Sequence, residues 1–146
     1  MSENTSVNDW TRLCDLLDDD PELAPAVRRA VSDNADAWTA LLDGLDEAGV
    51  LAYLDRKDTG IELADALAQV PRVFAVGIDL DEVADVEGDL SAAIVRADSI
   101  LATHDLRIVY LEEDSDAYPL VVVPVANVAE IIEIAARLGF TAQVFS

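Results

Sequence analysis

The segment from Asp55 to Asp58 contains residue types that can bind and activate a small anion. Lys57, the only lysine of the chain, lies between two carboxylates at the junction of a predicted strand and a predicted helix. Ligands of α/β proteins favour the carboxyl ends of strands, and helix N-termini favour anions. Lys57 could therefore hold a phosphate or a carboxylate, with Asp55 and Asp58 as orienting groups or bases. The alternative, which we favour, is a helix cap with surface ion pairs that contribute little stability.

A second polar segment, Glu112 to Tyr118, contains four carboxylates within five consecutive residues. Carboxylate oxygens suit Ca²⁺ or Mg²⁺, and the candidate metal ligands are Asp114 and Asp116. The EF-hand pattern fails, because the sixth position counted from Asp114 is Pro119 and the twelfth is Val125, where glycine and glutamate are required. The favoured interpretation is a solvated hairpin turn whose Asp and Ser side chains bond their own backbone.

Together the two segments support one hypothesis of an enzyme. If the fold brings them to the same end of the sheet, they could form the site of a small metal- or phosphate-dependent, hydrolase-like enzyme. If they lie at opposite ends with no pocket between them, the shared site fails. The ligand-binding candidates of the two segments are Asp55, Lys57, Asp58, Ser115, Asp116 and Tyr118.

Other reactive side chains give no basis for a catalytic role. His104, the only histidine, has no partnered serine or cysteine motif from which a triad could be argued. Its expected position at the end of a helix favours interaction with the helix dipole. Cys14, the only cysteine, has Asp15 beside it and nothing that would lower its pKa. We therefore assign no catalytic residue and predict no cofactor.

A third segment, Gly77 to Val83, resembles the nucleophile motif of haloacid-dehalogenase-type phosphatases, in which Asp-x-Asp follows an apolar strand. Asp79 and Asp81 occupy the two acidic positions. That family also needs a small hydroxyl or glycine step after the second aspartate, and Glu82 departs from this requirement. No lysine follows this segment either. The resemblance is therefore too partial to support a phosphatase.

Hydrophobic periodicity predicts the elements that would position these residues. Apolar stripes predict helices over about 8–18, 22–32 and 34–47, then a strand over 50–54 and a helix over 60–69. Trp10 and Trp38 lie on these stripes and are expected in the core or in semi-buried seams, the less favoured alternative being that they stack on a ligand. Thr59 and Glu62 have the spacing of a capping box. The alternating apolar residues of 73–80 favour a strand, the other interpretation being an irregular segment under the next helix, expected over 89–103.

The C-terminal part, 106–146, is predicted to form a strand, an acidic turn, a strand, a helix and a strand. Leu120 to Val123 are continuously apolar, which is typical of a strand covered on both faces. Pro119 and Pro124 bracket this strand, because proline is tolerated at strand ends. The helix that follows is expected to end near Gly139, and the last strand, 140–145, is expected to be peripheral.

The charge of the chain restricts its partners. Thirty acidic residues against nine basic ones give a net charge of −21. The acids are spread along the chain and lysine is almost absent, as in proteins of salt-loving archaea. The alternative source is a GC-rich bacterium, whose proteins are also depleted in lysine. Direct binding to nucleic acid is disfavoured, because phosphate contacts need a basic stripe. The sequence contains no membrane-spanning run and no signal peptide, which predicts a cytoplasmic protein. The partners that remain are a basic protein or, in a homodimer, a second copy.

Two short motifs resemble those of a family of small prokaryotic proteins of unknown function. Leu54-Asp-Arg-Lys-Asp58 supplies the first motif, with Asp55, Lys57 and Asp58 at its matching positions. Glu113-Asp-Ser-Asp-Ala-Tyr118 supplies the second, with Ser115, Asp116 and Tyr118. Arg56 stands where the family would have an aromatic residue. Since the family has no assigned activity, the resemblance implies a fold and not a function.

We therefore expect a single α+β domain over residues 1–146. A helical front section, 1–48, would precede a mixed sheet of four to five strands flanked by helices, 49–146. The function we favour is that of a non-enzymatic binding or interaction protein with an acidic surface. The alternative is the metal- or phosphate-dependent enzyme described above.

Overall fold

The computed structural model of the chain describes residues 2–17, 23–33, 35–55, 57–112 and 117–144, except for the side chains of 2–7. Three helices come first, and they are α1 (Ser2–Leu17), α2 (Leu23–Ser32) and α3 (Ala37–Glu47). The helix α1 begins earlier than the predicted residue 8. All three helices bury an apolar stripe, as their periodicity predicted. Trp10 and Trp38 are buried, and the Trp38 ring stacks on Phe140 with a centroid distance of 4.6 Å.

The first strand, β1 (Leu51–Asp55), is followed by α4 (Gly60–Ala68). The predicted capping box at the start of α4 is confirmed. The Glu62 carboxylate accepts hydrogen bonds from the backbone N–H and the hydroxyl of Thr59. Gly60 is needed at the first helical position, because a Cβ there would clash with the backbone carbonyl oxygen of Val83. This close approach places the start of α4 against the backbone of Val83.

Residues 71–84 form two short helices, α5 (Pro71–Val76) and α6 (Asp81–Ala84), so the predicted strand over 73–80 is wrong. Pro71 occupies the first position of α5, where its missing N–H costs nothing. Gly77, with φ of 70°, ends the helix in the left-handed region. The apolar alternation does not reflect burial, since Val73 is buried whereas Phe74 is 78 % exposed.

The remaining elements agree closely with the periodicity of the sequence. Asp89 caps α7 (Leu90–Ala102) through a hydrogen bond from the Ala92 N–H. The strands β2 (Leu106–Leu111) and β3 (Ala117–Pro124) follow, and then a 3₁₀ turn (Val125–Asn127), α8 (Val128–Arg137) and β4 (Ala142–Gln143). The last strand is shorter than predicted and is peripheral, as expected.

The four strands form one sheet in the order β1-β3-β2-β4. Helices α1, α2, α3 and α8 pack on one face, and α4 to α7 pack on the other. The central strand β3 is therefore covered on both faces, which confirms the prediction from its continuous apolar run. Val121 and Val123 face the first helical layer, whereas Leu120 and Val122 face the second.

The predicted α+β class, with helices first and a four-stranded sheet, is confirmed. One detail differs, because a mixed sheet was expected and all pairings of the described strands are antiparallel. The short connection between β2 and β3 permits only an antiparallel pair. β1 pairs with β3, and β4 pairs with β2, and both of these pairs are antiparallel as well. Among the described residues, none of the helices is both long enough and apolar enough to cross a bilayer.

Candidate functional site

The Asp55–Asp58 turn begins where β1 ends, and its two carboxylates are engaged by its own backbone. The Asp55 carboxylate accepts the Lys57 N–H at 2.9 Å. The Asp58 carboxylate accepts the Asp55 N–H at 2.9 Å. The Asp58 N–H in turn donates to the Asp55 carbonyl at 2.8 Å. These bonds close a compact turn, which is the arrangement expected of a structural connection rather than of a free base.

The N-terminus of α4 beside this turn is also occupied. The Glu62 carboxylate accepts the Thr59 N–H at 2.8 Å and also accepts the Thr59 hydroxyl. The hydrogen bond from the Thr59 hydroxyl, and then that from its N–H, lower the pKa of Glu62. A negative charge therefore already lies at the positive end of the helix. An incoming phosphate near Lys57 would meet this carboxylate, so the geometry weakens the predicted anion site.

The C-terminal end of the second polar segment, Ala117 and Tyr118, lies beside the end of β1 where the Asp55–Asp58 turn begins. The antiparallel register places Asp55 opposite Ala117 and Leu54 opposite Tyr118. Ala117 and Tyr118 are therefore neighbours of the first turn, and the shared site stays a prediction. Tyr118 packs against Tyr110 with a centroid distance of 5.3 Å. The candidates Asp114, Ser115 and Asp116 lie outside the described residues.

No metal centre is formed within the described ranges 2–17, 23–33, 35–55, 57–112 and 117–144. Nowhere in them do three His, Cys, Asp or Glu side chains approach closely enough to hold an ion. The pair Asp79 and Asp81 does not follow a strand, and the Asp79 carboxylate accepts the Asp81 N–H at 2.9 Å. This is a local turn at the start of α6, so the resemblance to the phosphatase nucleophile motif has no structural counterpart.

A cleft between α3 and β1, which the sequence did not predict, is the other candidate site. Its volume is about 410 Å³, within the range of pockets that hold small ligands or single side chains. It is partly open to solvent, and β1 beside it is a terminal strand of the sheet. The residues that line this α3–β1 cleft are Thr39, Leu42, Asp43, Asp46, Leu51 and Tyr53.

The α3 side of the cleft carries two carboxylates that are not engaged elsewhere. Asp43 and Asp46 are exposed and lie one turn apart on the same face of α3. No hydrogen bond or ion pair between side chains that the structure describes involves either of them. Thr39, in contrast, donates its hydroxyl to the Asp36 carboxylate at 2.9 Å. The negative charge of the cleft is therefore uncompensated by the described residues.

The β1 side of the cleft is apolar and aromatic. Leu51 is partly buried and packs against the core beneath α3. Tyr53 is two residues further along the strand and thus on the same face, and 52 % of its surface is exposed. Leu42 closes the floor from α3. The cleft thus combines a negative rim, an aromatic side chain and an apolar floor.

Comparison with known families gives one result. A family model described as Domain of unknown function (DUF6630) matches residues 9–145. The chain belongs to this family. The predicted membership of a family with no assigned activity is thereby confirmed, while the two motifs remain predictions of what its members share. The chain matches none of the curated proteins and none of the solved structures with which it was compared.

The match to DUF6630 covers both candidate regions, the Asp55–Asp58 turn and the α3–β1 cleft. The sequence missed the cleft because its two sides come from separate elements. Only one local signal pointed to it, since residues 39, 42, 43 and 46 share one face of a helix. β1 passes beside this face because it pairs with β3. No local sequence pattern predicts that pairing.

Cys14 lies in the core of this DUF6630 domain, whereas the His104 side chain lies at its surface. Cys14 is buried in the core, and burial raises the pKa of its thiol to about 12. It is therefore protonated and unreactive near neutral pH. His104 is exposed in the turn after α7, and its backbone N–H donates to the Leu101 carbonyl. Neither residue lines the α3–β1 cleft.

A buried ion pair, which the sequence also did not indicate, joins α7 to β2. Asp98 is only 4 % exposed and is the one charged residue in the core of the described part of the chain. Its carboxylate accepts hydrogen bonds from the Arg107 guanidinium at 2.8 to 3.0 Å and from the Ile108 N–H at 2.9 Å. The hydrogen bond to Asp98 raises the pKa of Arg107. All of these interactions hold the fold together, and neither Asp98 nor Arg107 lines the α3–β1 cleft.

Proposed function

We propose that this DUF6630 chain is a non-enzymatic interaction protein that binds a basic partner protein at the α3–β1 cleft. The observation that carries the proposal is the pair of carboxylates Asp43 and Asp46. They line a cavity, and no described cation neutralises them. A cationic group that entered the cleft would gain their attraction without breaking an existing ion pair.

The distribution of the positive charges supports this choice of partner. Within the part of the chain that the structure describes, four arginines form ion pairs with carboxylates of the chain itself, and these are Arg12, Arg96, Arg107 and Arg137. The chain thus neutralises much of its own positive charge locally. The charge that it presents to a partner is therefore negative, since acidic residues outnumber basic ones by 21. Complementary charge steers association and suppresses partners of the same sign.

We place this function in the cytoplasm of a salt-loving organism, on the basis of the evenly spread acidic residues. In molar salt the Debye length falls to about 3 Å, so attraction across the whole surface is screened. Contacts inside a cleft act over shorter distances and are screened less. A partly enclosed acidic site is therefore better suited to such conditions than an open acidic surface.

Binding of a cationic probe tests the proposal. The probe is a fluorescein-labelled nine-residue peptide of alternating threonine and arginine, and the measurement is fluorescence anisotropy in 0.2 M KCl. We expect the double variant Asp43→Asn with Asp46→Asn to bind about tenfold more weakly. Each exposed charge pair contributes up to about 1 kcal/mol, and 1.4 kcal/mol corresponds to a factor of ten.

A matched control separates the cleft from net charge alone. Asp65 and Asp85 are exposed on α4 and in the turn after α6, in the opposite helical layer, so their double Asn variant removes the same charge elsewhere. We expect it to bind the peptide within a factor of two of the unmodified chain. No binding of the peptide, or equal losses in the two double variants, would refute the proposal.

The second candidate function, a metal- or phosphate-dependent hydrolase, is favoured by the register that places Asp55 opposite Ala117. Against it, both aspartates of the Asp55–Asp58 turn already accept backbone hydrogen bonds. Thermal unfolding in 2 M KCl with added Mg²⁺, Ca²⁺ or inorganic phosphate tests it, because ligands of the folded state raise its stability. A rise in Tm that Asp55→Asn abolishes would favour the enzyme over the interaction protein.

A further inference from the structure

The α3–β1 cleft has a chemical character that is more specific than negative charge. Its three components are the carboxylates of Asp43 and Asp46, the ring of Tyr53, and the apolar side chains of Leu42 and Leu51. A metal ion would use only the carboxylates, and these lie a helical turn apart. A purely apolar ligand would bury them without a partner, which is costly. A ligand that satisfies all three must have an apolar stem and a flat cationic end.

The arginine side chain has this shape. Its three methylene groups can lie along the apolar floor while its guanidinium remains at the polar rim. The guanidinium is planar, stacks on aromatic rings and donates up to five hydrogen bonds at its edge. It can therefore contact the Tyr53 ring with its face and the two carboxylates with its edge. Lysine has a compact, strongly hydrated ammonium that cannot do both.

The position of β1 indicates how the arginine arrives. β1 is a terminal strand that pairs with β3 among the described strands, so the cleft lies at one side of the sheet. Leu51 and Tyr53 are alternate residues of this strand and line the cleft together. An extended segment lying along β1 repeats its side-chain direction every two residues, which matches this spacing. Alternate arginines of such a segment would point toward α3.

We propose that the cleft binds arginine side chains of an extended basic segment in the partner protein, with a guanidinium between Tyr53 and the carboxylates of Asp43 and Asp46. This inference rests on the proposed function and specifies its ligand. Such a contact would also persist at high salt, because stacking and hydrogen bonds act at short range whereas long-range attraction is screened. A folded basic surface without a protruding arginine would not fit.

The test compares three labelled nine-residue peptides in 2 M KCl by fluorescence anisotropy. Threonine alternates with arginine in the first, with lysine in the second, and with citrulline in the third. Citrulline keeps the shape of arginine without its charge. We expect the arginine peptide to bind about fivefold more tightly than the lysine peptide, and the citrulline peptide to bind more weakly than both.

Two substitutions at Tyr53 test the role of the ring. Tyr53→Leu keeps an apolar side chain but removes the aromatic face, and we expect it to abolish the preference for arginine over lysine. Tyr53→Phe keeps the face and should retain the preference. Because Tyr53 is half exposed, both variants should fold, and far-ultraviolet circular dichroism and thermal unfolding will verify this.

The outcomes separate this inference from the proposed function. Equal affinity for arginine and lysine peptides, or a preference that survives in Tyr53→Leu, overturns the inference and leaves an acidic interaction site. Tighter binding of the citrulline peptide also overturns it, since charge would then play no part. If none of the peptides binds even in 0.2 M KCl, the proposed function itself fails.

Discussion

Two acidic regions of this domain use the same residue type in opposite ways. In the Asp55–Asp58 turn, the carboxylates accept N–H groups of their own backbone. In the α3–β1 cleft, the carboxylates of Asp43 and Asp46 take part in no hydrogen bond or ion pair among the residues that the structure describes. The first region looked more like a functional site in the sequence because it is a dense motif with a lysine. The hydrogen-bond partners of the two regions are the reason why we propose the cleft instead.

The difference shows that the density of acidic residues is a poor guide to binding. A carboxylate whose lone pairs are used by a cap or a turn contributes to the fold, and its removal leaves unsatisfied donors. A carboxylate in a cavity with no such partner contributes little to stability. It is available to a ligand instead. Sorting the acidic residues by their hydrogen-bond partners therefore separates structural from functional candidates, and three substitutions test this sorting.

The largest effect on stability is expected at Asp98, the most deeply engaged carboxylate. Asp98→Ala leaves the Arg107 guanidinium without its partner and the buried N–H of Ile108 without an acceptor. Breaking a buried pair in this way costs about 3 kcal/mol. The measurement is the free energy of unfolding from urea titration in 2 M KCl. Asp85→Ala, which removes an exposed acid, should change it by less than about 0.5 kcal/mol. A similar change in both variants would break the comparison.

A smaller effect is expected within α3, where one helix contains both kinds of carboxylate. Asp36 caps the helix by accepting the N–H groups of Trp38 and Thr39 at 3.1 and 3.2 Å. Asp36→Ala should cost about 1 kcal/mol, the usual loss for an N-cap. Asp43→Ala, on the exposed face of the same helix, should cost nothing, because alanine is the better helix former. The urea titration measures both. A loss at Asp43 as large as that at Asp36 would show that the carboxylate has a structural role.

Local sequence patterns predicted those parts of the fold that local physics determines. The spacing of Thr59 and Glu62 predicted the capping box, and the apolar run Leu120 to Val123 predicted a strand buried on both faces. The segment 73–80 was misjudged, because alternation over a few residues cannot distinguish a strand from a helix of six residues. In this segment Pro71 favours the start of the helix α5, and Gly77, in the left-handed region, ends it.

The candidate site depended on information that local patterns lack. The α3–β1 cleft exists because β1 pairs with β3, a strand more than sixty residues away in the chain. Register across such a separation is set by the burial of both faces of β3 and by the helices packed on them. The same long-range pairing places Ala117, at the start of β3, beside Asp55, and no local pattern predicts this neighbourhood.

The smallest effect is expected at Glu62, an engaged but exposed carboxylate. Its hydrogen bonds from the hydroxyl and N–H of Thr59 lower its pKa. A group whose pKa is lower in the folded state stabilises that state above the pKa of the unfolded chain, about 4.3. This stabilisation is lost as the pH falls through the folded pKa.

Glu62→Gln keeps the capping box, since glutamine serves at the same position, but cannot titrate. The difference in unfolding free energy between the two proteins, measured from pH 7 to pH 3, should therefore decrease toward acid. If the difference did not change with pH, the hydrogen bonds from Thr59 would not stabilise the ionised Glu62 carboxylate, and the distinction between the cleft and the turns would rest on position alone.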